Sequence, residues 1–248
     1  MYLIKIGEIY LKGKNKHSFE KRLLNNLKRL ESLEREDIVN LGNQYLIKKD
    51  NLTKLNRLFG ISYYAEVLEC NFDEINRTAL LLVENEETFK VEASRSTKEY
   101  KSSNEIEREL GTFIIDQRGL RVNLNNPELI VYVEIINGKA YLYNKKIKAL
   151  KGLPVGSEGH VILLVEDEKL STVAGFLMMK RGCRVSLTKD LPLLHNFYHK
   201  IKIREPKEKD ILVSAETVPN EKHSQFTLSP LQGLTEKEID ELYLFIKN

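Results

Sequence analysis

Between a strand-length apolar run, His160 to Val165, and a helical face of Leu170, Val173, Ala174, Leu177 and Met178, the chain reads Glu166-Asp167-Glu168-Lys169-Leu170-Ser171. A strand, a tight loop and a helix N-terminus are the parts of a phosphate site, because loop amides and the helix dipole both point at the anion. This loop has no glycine to let the backbone approach a phosphate. It sets the carboxylates of Glu166, Asp167 and Glu168 where phosphate oxygens would sit, with Ser171 one turn on. The residues therefore read as a nucleotide loop without its phosphate cradle.

Two further stretches gather cations. The first is Lys5-Ile6-Gly7-Glu8-Ile9-Tyr10-Leu11-Lys12-Gly13-Lys14-Asn15-Lys16, ahead of a helix whose N-terminus also favours anions. Lys12, Lys14, Asn15 and Lys16 are its candidate contacts to a polyanion; the alternative is a structural turn with solvated lysines. The second runs Phe89-Lys90-Val91-Glu92-Ala93-Ser94-Arg95, then Lys98, Tyr100, Lys101 and Ser103, then Asn123-Leu124-Asn125-Asn126-Pro127. Arg95 can fork onto a phosphate, Lys98 and Lys101 add point charges, and Tyr100 can stack on an unpaired base. Asn125 is a candidate contact within the pattern, although Asn125-Asn126-Pro127 taken alone reads as a turn.

Taken with Gly152-Leu153-Pro154-Val155-Gly156 and Ser171-Thr172-Val173-Ala174-Gly175-Phe176-Leu177-Met178-Met179-Lys180-Arg181-Gly182, these motifs resemble the ThiI family of tRNA 4-thiouridine synthetases, which also supply sulfur for thiamine. The family pattern has GEIxLKGKNxxxFE at the N-terminus, and GLPVG, a strand and SGGxDSPVAGxxMMKRG around its PP-loop, the ATP-pyrophosphatase loop. Here the SGGxD half is absent. The middle motif is similar to the THUMP domain, F-x-V-x-A-x-R followed by V-x-L-x-x-P. The resemblance implies tRNA as partner, gripped at the acceptor stem and 3′ end. It also implies a homodimer.

In that family, sulfur transfer uses a cysteine of the nucleotide domain with a rhodanese partner, or a cysteine-ligated iron–sulfur cluster. Only Cys183 lies in this region, and a small buried residue is its ordinary reading. The reading is thus a tRNA-binding ThiI-like protein of the thiolation system, with its own ATP-dependent catalysis lost and no cofactor. An intact sulfurtransferase is a candidate partner. The rival is a divergent active sulfurtransferase that needs ATP and magnesium.

The elements that must position these residues fall into an α/β (α+β) chain of three domains. Residues 1–70 follow the ferredoxin-like order βαββαβ: a strand over Tyr2 to Ile6, a helix starting near Ser18 with Phe19, Leu23 and Leu27 inward, a hairpin at Gly42-Asn43, a short helix from Leu52 to Phe59, and a strand over Tyr63 to Leu68. Residues 71–150 form the THUMP module, with a hairpin at Asn137-Gly138. Residues 151–248 form a shortened PP-loop-like domain, whose final helix starts at Thr235 with Glu238 completing a capping box. Apolar faces on that helix and on Leu170 to Met178 are expected to lie bare for a second copy.

Net charge is only +3, from 39 basic and 36 acidic side chains, so any polyanion site depends on local clustering. Residues 1–30 hold such a cluster, and Lys139, Lys145, Lys146, Lys148 and Lys151 make another. No apolar run reaches membrane-span length and no secretory leader is visible, so a cytoplasmic protein is expected. Cys70 and Cys183 make neither a disulfide framework nor a CxxC site. His195 and His199 have helical metal-ligand spacing but no third ligand near them, so no metal is expected.

Overall fold

The computed structural model describes residues 1–7, 13, 15–96, 100–217 and 226–248. The first sheet has the order β10 (Ile147–Lys148), β4 (Ile61–Glu66), β1 (Tyr2–Ile6), β3 (Gln44–Ile47), β2 (Ile38–Asn40). Its helix α1 (Lys16–Glu31) begins two residues before Ser18. The stripe of Phe19, Leu23 and Leu27 sets the helix phase, not its start, and Asn15 stands at the cap without a side-chain capping bond. The expected second helix is a single 3-10 turn, Leu55–Arg57. Leu55, Leu58 and Phe59 are buried all the same, so burial is achieved without a helix.

Contacts divide the chain into two compact units, Met1–Lys5 with Glu36–Asn51 and Tyr63–Ile147, and Ile6–Arg35 with Leu52–Ser62 and Lys148–Asn248. In the first unit a second sheet runs β5 (Leu68–Cys70), β9 (Lys139–Tyr143), β8 (Leu129–Ile136), β6 (Thr88–Arg95), β7 (Arg121–Val122). β6 and β8 are parallel, and α3 (Ser103–Arg118) packs on β6. β8 and β9 turn at Asn137 and Gly138, both left-handed at φ 49° and 78°, as a two-residue I′ hairpin requires. Alternation along β8 sends Val131, Val133 and Ile135 into the core with Phe89, Leu110 and Ile114. Tyr132 and Ile136 face the other way, toward Leu3, Leu46 and Tyr143.

Glu134 lies on that second side, only 7% exposed. A buried carboxylate needs donors, and it has them in Gln44 Nε2 (2.5 Å), Tyr143 Oη (2.5 Å) and Tyr63 Oη (3.2 Å). Beside it Lys146 Nζ sits 3.7 Å over the Tyr132 ring and 3.9 Å from Glu92. Burial pushes the Lys146 ammonium below its ordinary pKa.

The second unit holds a five-stranded, wholly parallel sheet in the order β13 (Lys202–Ile203), β12 (Arg184–Leu187), β11 (His160–Leu163), β14 (Ile211–Val213), β15 (Thr227–Leu228). The chain winds outward from β11 to β13, returns to β14 and winds outward again. The carboxyl ends of β11 and β14 therefore diverge, at the switch point where such sheets place ligands. Its five strands are two to four residues each.

α4 (Glu168–Lys180) is buried almost all round and packs on β11, β12 and α5 (Glu236–Lys247). The Leu170 to Met178 face expected to lie bare is therefore covered. Phe176 centres an aromatic cluster, 5.2 Å from Phe59 and 5.1 Å from Phe197. At the far end of α4 a backbone clasp forms. Leu153 N donates to Lys180 O (2.9 Å), and Gly156 N and Glu158 N both donate to Gly182 O (2.8 and 3.1 Å).

Gly152 enters the clasp at φ +68°, and a Cβ there would run into the Lys180 carbonyl. Gly152→Ala combines a left-handed backbone with that collision. It should cost about 1–3 kcal/mol, the range for overpacked sites, read as a lower urea midpoint at unchanged m-value. The Glu134 cluster gives a pH test. Burial, then the Glu134 charge, pushes the Tyr63 phenol from 10.0 up to about 12. An unfolded chain ionises this phenol near pH 10 while the folded chain keeps its proton, so the stabilisation is whole below pH 10 and lost as pH rises through 12. Unfolding midpoints should fall across that window, and less steeply in Tyr63→Phe.

Candidate nucleic-acid interface

The segment from Arg95 at the end of β6 to Ser103 at the start of α3 carries half of the candidate RNA residues. Arg95 Nη1 donates to Tyr100 O (2.9 Å) and Lys101 O (3.4 Å), so the guanidinium ties the end of β6 to the residues just before α3. Tyr100 stacks one ring face on Phe72 at 4.2 Å and donates its hydroxyl to Phe72 O (3.4 Å). Lys101 Nζ pairs with Glu109 at 2.5 Å, which raises the lysine pKa. Ser103 opens α3, and Ser102 caps it by accepting from Glu105 N, while Glu105 accepts from Ser102 N. The pair makes an S-x-x-E capping box, a helix-start signal the motif did not single out. Lys98 lies outside the described residues.

Asn125 stands exposed in a loop organised by its neighbour Asn123. Asn123 Oδ1 accepts from Asn125 N (3.2 Å) and Asn126 N (3.1 Å), and its Nδ2 donates to Asn126 O (2.8 Å). Asn123 is thus a turn-former that the motif did not single out, although an Asn ahead of Asn-Pro is the usual signal for one.

At the N-terminus, Lys12 and Lys14 lie outside the described residues. Gly13 adopts φ +51°, Asn15 is exposed, and Lys16 reaches Glu20 at 3.5 Å. In the later lysine stretch, Lys139 Nζ donates to Asn71 Oδ1 (2.8 Å) and Lys146 is folded onto tyrosines. Lys145 and Lys148 are exposed.

The loop after β11 is the most constrained of the candidate places. Asp167 is the N-cap of α4, and its Oδ1 accepts from Leu170 N at 2.7 Å. Glu166 and Glu168 are exposed beside it. Lys169 leans away to pair with Asp240. Thr188 Oγ1 takes the Val165 amide at 2.9 Å. Ser171 is fully buried, and its Oγ has no hydrogen-bond partner among the described residues. A carboxylate of the chain itself thus occupies the place where a helix N-terminus would meet an anion. His195 sits in a 3-10 turn and pairs with Asp190 at 2.7 Å, while His199 lies beyond that turn, so the two histidines share no helix face.

Residues 1–65 match the ThiI ferredoxin-like domain, and residues 69–145 match the THUMP domain. Relatives named probable tRNA sulfurtransferase include one from Mycoplasmopsis synoviae, 36% identical across 74% of this chain and 50% of its own length. Another, from Methanocaldococcus jannaschii, is 34% identical across 75% of this chain and 54% of its own. The chain belongs to the ThiI family.

It spans about half the length of the curated ThiI relatives it matches. Among solved structures, PH1313 from Pyrococcus horikoshii shares its fold at a TM-score of 0.82 and 26% identity, with 100% of this chain and 99% of that one aligned. A 4-thiouridine synthetase in complex with RNA and ATP aligns over 99% of this chain and 84% of its own, at a TM-score of 0.79 and 24% identity, a likeness of fold. Gly152 to Gly156 and Lys180 to Gly182 are the two sides of the backbone clasp. In the loop after β11, Asp167 has the duty of capping α4.

That duty is separable from charge. Asp167→Ala should cost about 1 kcal/mol, the usual loss for a removed N-cap. Asp167→Asn keeps an accepting oxygen and should stay within a few tenths of wild type. Urea unfolding of the three proteins reads the difference. Equal losses in both variants would mean that the carboxylate charge, not the cap bond, stabilises α4.

Proposed function

We propose that this ThiI-family chain binds tRNA, at the acceptor stem and 3′ end, within a 4-thiouridine thiolation system, and does not itself activate the nucleoside with ATP. The observation that carries the second half is the Asp167 cap. A triphosphate at α4 would have to displace that carboxylate from the Leu170 amide while facing Glu166 and Glu168. A like-charge pair at 4 Å costs between about 1 kcal/mol in water and about 4 kcal/mol at an effective dielectric of 20. Magnesium would offset part of this, but no glycine in the loop lets its amides close on the phosphates. The residues present do not fit ATP and magnesium.

The tRNA half rests on the THUMP and ThiI ferredoxin-like domains and on the relatives' name. Arg95 is bonded to the Tyr100 carbonyl and Lys101 is shared with Glu109, so these two cations are held by the scaffold rather than loose. An intact sulfurtransferase is the partner that would supply the missing chemistry.

Two measurements test the reading. Gel shifts should show tRNA binding that weakens steeply with salt, as counterion release demands. Arg95→Ala, which frees the turn and removes a cation, should lower affinity about tenfold. With ATP and magnesium at millimolar levels the melting temperature should stay put. ATP-dependent thermal stabilisation, or tRNA-dependent AMP formation lost in Asp167→Ala, would restore the active-sulfurtransferase reading.

A further inference from the structure

The parallel sheet of the second unit has an amino-terminal end as well as a carboxyl end, and the cations there are unaccounted for. Strand register places His160 opposite Arg184 and Ser186 opposite Lys202. Because side chains alternate, His160, Arg184, Ser186 and Lys202 all emerge on one face of the sheet. With Tyr198 and Lys200 from the segment before β13, they line a pocket of about 330 Å³. Arg184, Lys200 and Lys202 are exposed and make no ion pair among the described residues. The deeper part is polar: Ser186 is 2% exposed and its Oγ lies 2.9 Å from His160 Nε2.

The field in this pocket is positive. Burial first, and then Arg204 and Arg184, push the His160 imidazole below its ordinary pKa. Asp210, the carboxylate that acts on His160, is already held by Arg204 through two bonds of 2.7 and 2.8 Å and by Lys207 N at 2.7 Å. Arg22 adds a further cation alongside. A Cβ built on Gly156, which sits at φ +86°, would touch both the Arg184 and Arg22 stems. Three like charges, Arg184, Lys200 and Lys202, stand on one concavity whose lining holds no carboxylate, and such a cleft concentrates anions. A guanidinium, two ammonium groups and a buried hydroxyl–imidazole pair are the donor set for a phosphoryl group.

We propose that the amino ends of β11, β12 and β13 form a phosphate-binding pocket, built from Arg184, Lys200, Lys202 and the His160–Ser186 pair. It is separate from the loop at the carboxyl ends of the same sheet. The phosphoryl group is either a backbone phosphate of RNA or a free phosphate ion.

The test uses the full chain and the double variant R184Q/K202Q, whose substitutions are at exposed positions and should leave the melting temperature unchanged. Inorganic phosphate is titrated while the His160 ring resonance is followed by NMR. The resonance should move and saturate in the wild type and stay still in the double variant. An RNA hairpin with a single-stranded 3′ end is titrated in parallel at several salt concentrations. If RNA supplies the phosphate, the double variant should lose about tenfold in affinity and about two units of log–log salt slope, about one per contact removed. An unchanged RNA affinity beside a saturable phosphate response assigns the pocket to free phosphate. A His160 resonance indifferent to phosphate, or equally responsive in both proteins, overturns the proposal. Wild-type protein that fails to bind RNA at all would strike the tRNA reading above and leave the phosphate titration to decide the pocket.

Discussion

The backbone clasp between residues 152–158 and 180–182 is the constraint on which the second unit depends. It fixes where α4 ends and where β12 begins, and through α4 it fixes the position of the loop after β11. It is built from amides and carbonyls, with glycine required at Gly152 by a left-handed φ and by contact with the Lys180 carbonyl. Gly182, at φ +89°, is equally confined, since a Cβ there would press on Ser157 and Leu153. The side chains of α4 then lock the helix sideways, with Phe176 wedged between Phe59 and Phe197. The helix is thus pinned at its C-terminal end by backbone bonds, along its length by a packed core, and at its first turn by the Asp167 cap and the Lys169–Asp240 pair.

The first unit shows the same division of labour in another form. Residues that look like RNA ligands in the sequence spend part of their bonding capacity on the scaffold. Arg95 has two carbonyls to satisfy, Tyr100 has Phe72, and Lys101 has Glu109. Side chains that are held before a ligand arrives lose less conformational entropy on binding it. The buried Glu134 cluster serves the same end. A carboxylate with three donors, taken from β3, β4 and β9 around β8, admits few rearrangements that leave it satisfied, so it fixes the relative places of those strands.

Most of the fold could be read from local pattern. The Asn137-Gly138 hairpin, the Thr235 capping box and the apolar stripe of α1 follow from residue types acting within one turn or one strand pair. What escaped was long-range. Nothing local marks the two-residue strands β13 and β15, which exist because neighbours in the parallel sheet offer them partners. The helix expected from Leu52 to Phe59 fails for the converse reason: its leucines are buried by tertiary packing that a single 3-10 turn already provides. The run of carboxylates in the loop was legible. That Asp167 turns back to cap its own helix was not, because capping depends on where the helix starts, the feature that sequence pattern fixes least well.

A parallel sheet gives its two ends different chemistry, and this chain has accentuated the difference. At the carboxyl end, where the α4 N-terminus would draw in an anion, Asp167 is already bound and Glu166 and Glu168 stand by. At the amino end, Arg184, Lys200 and Lys202 stand without acidic partners among the described residues. Acids are not absent from the amino end, where Glu158 and Asp210 also stand, nor cations from the carboxyl end, where Lys169 and Lys189 stand. The local contrast is between the three loop carboxylates and the three cations that line the pocket, and such a contrast acts on a polyanion over about a Debye length. On the proposed reading, the loop capped by Asp167 is the less favourable place for phosphate on this unit and the pocket at the strands' amino ends the more favourable one.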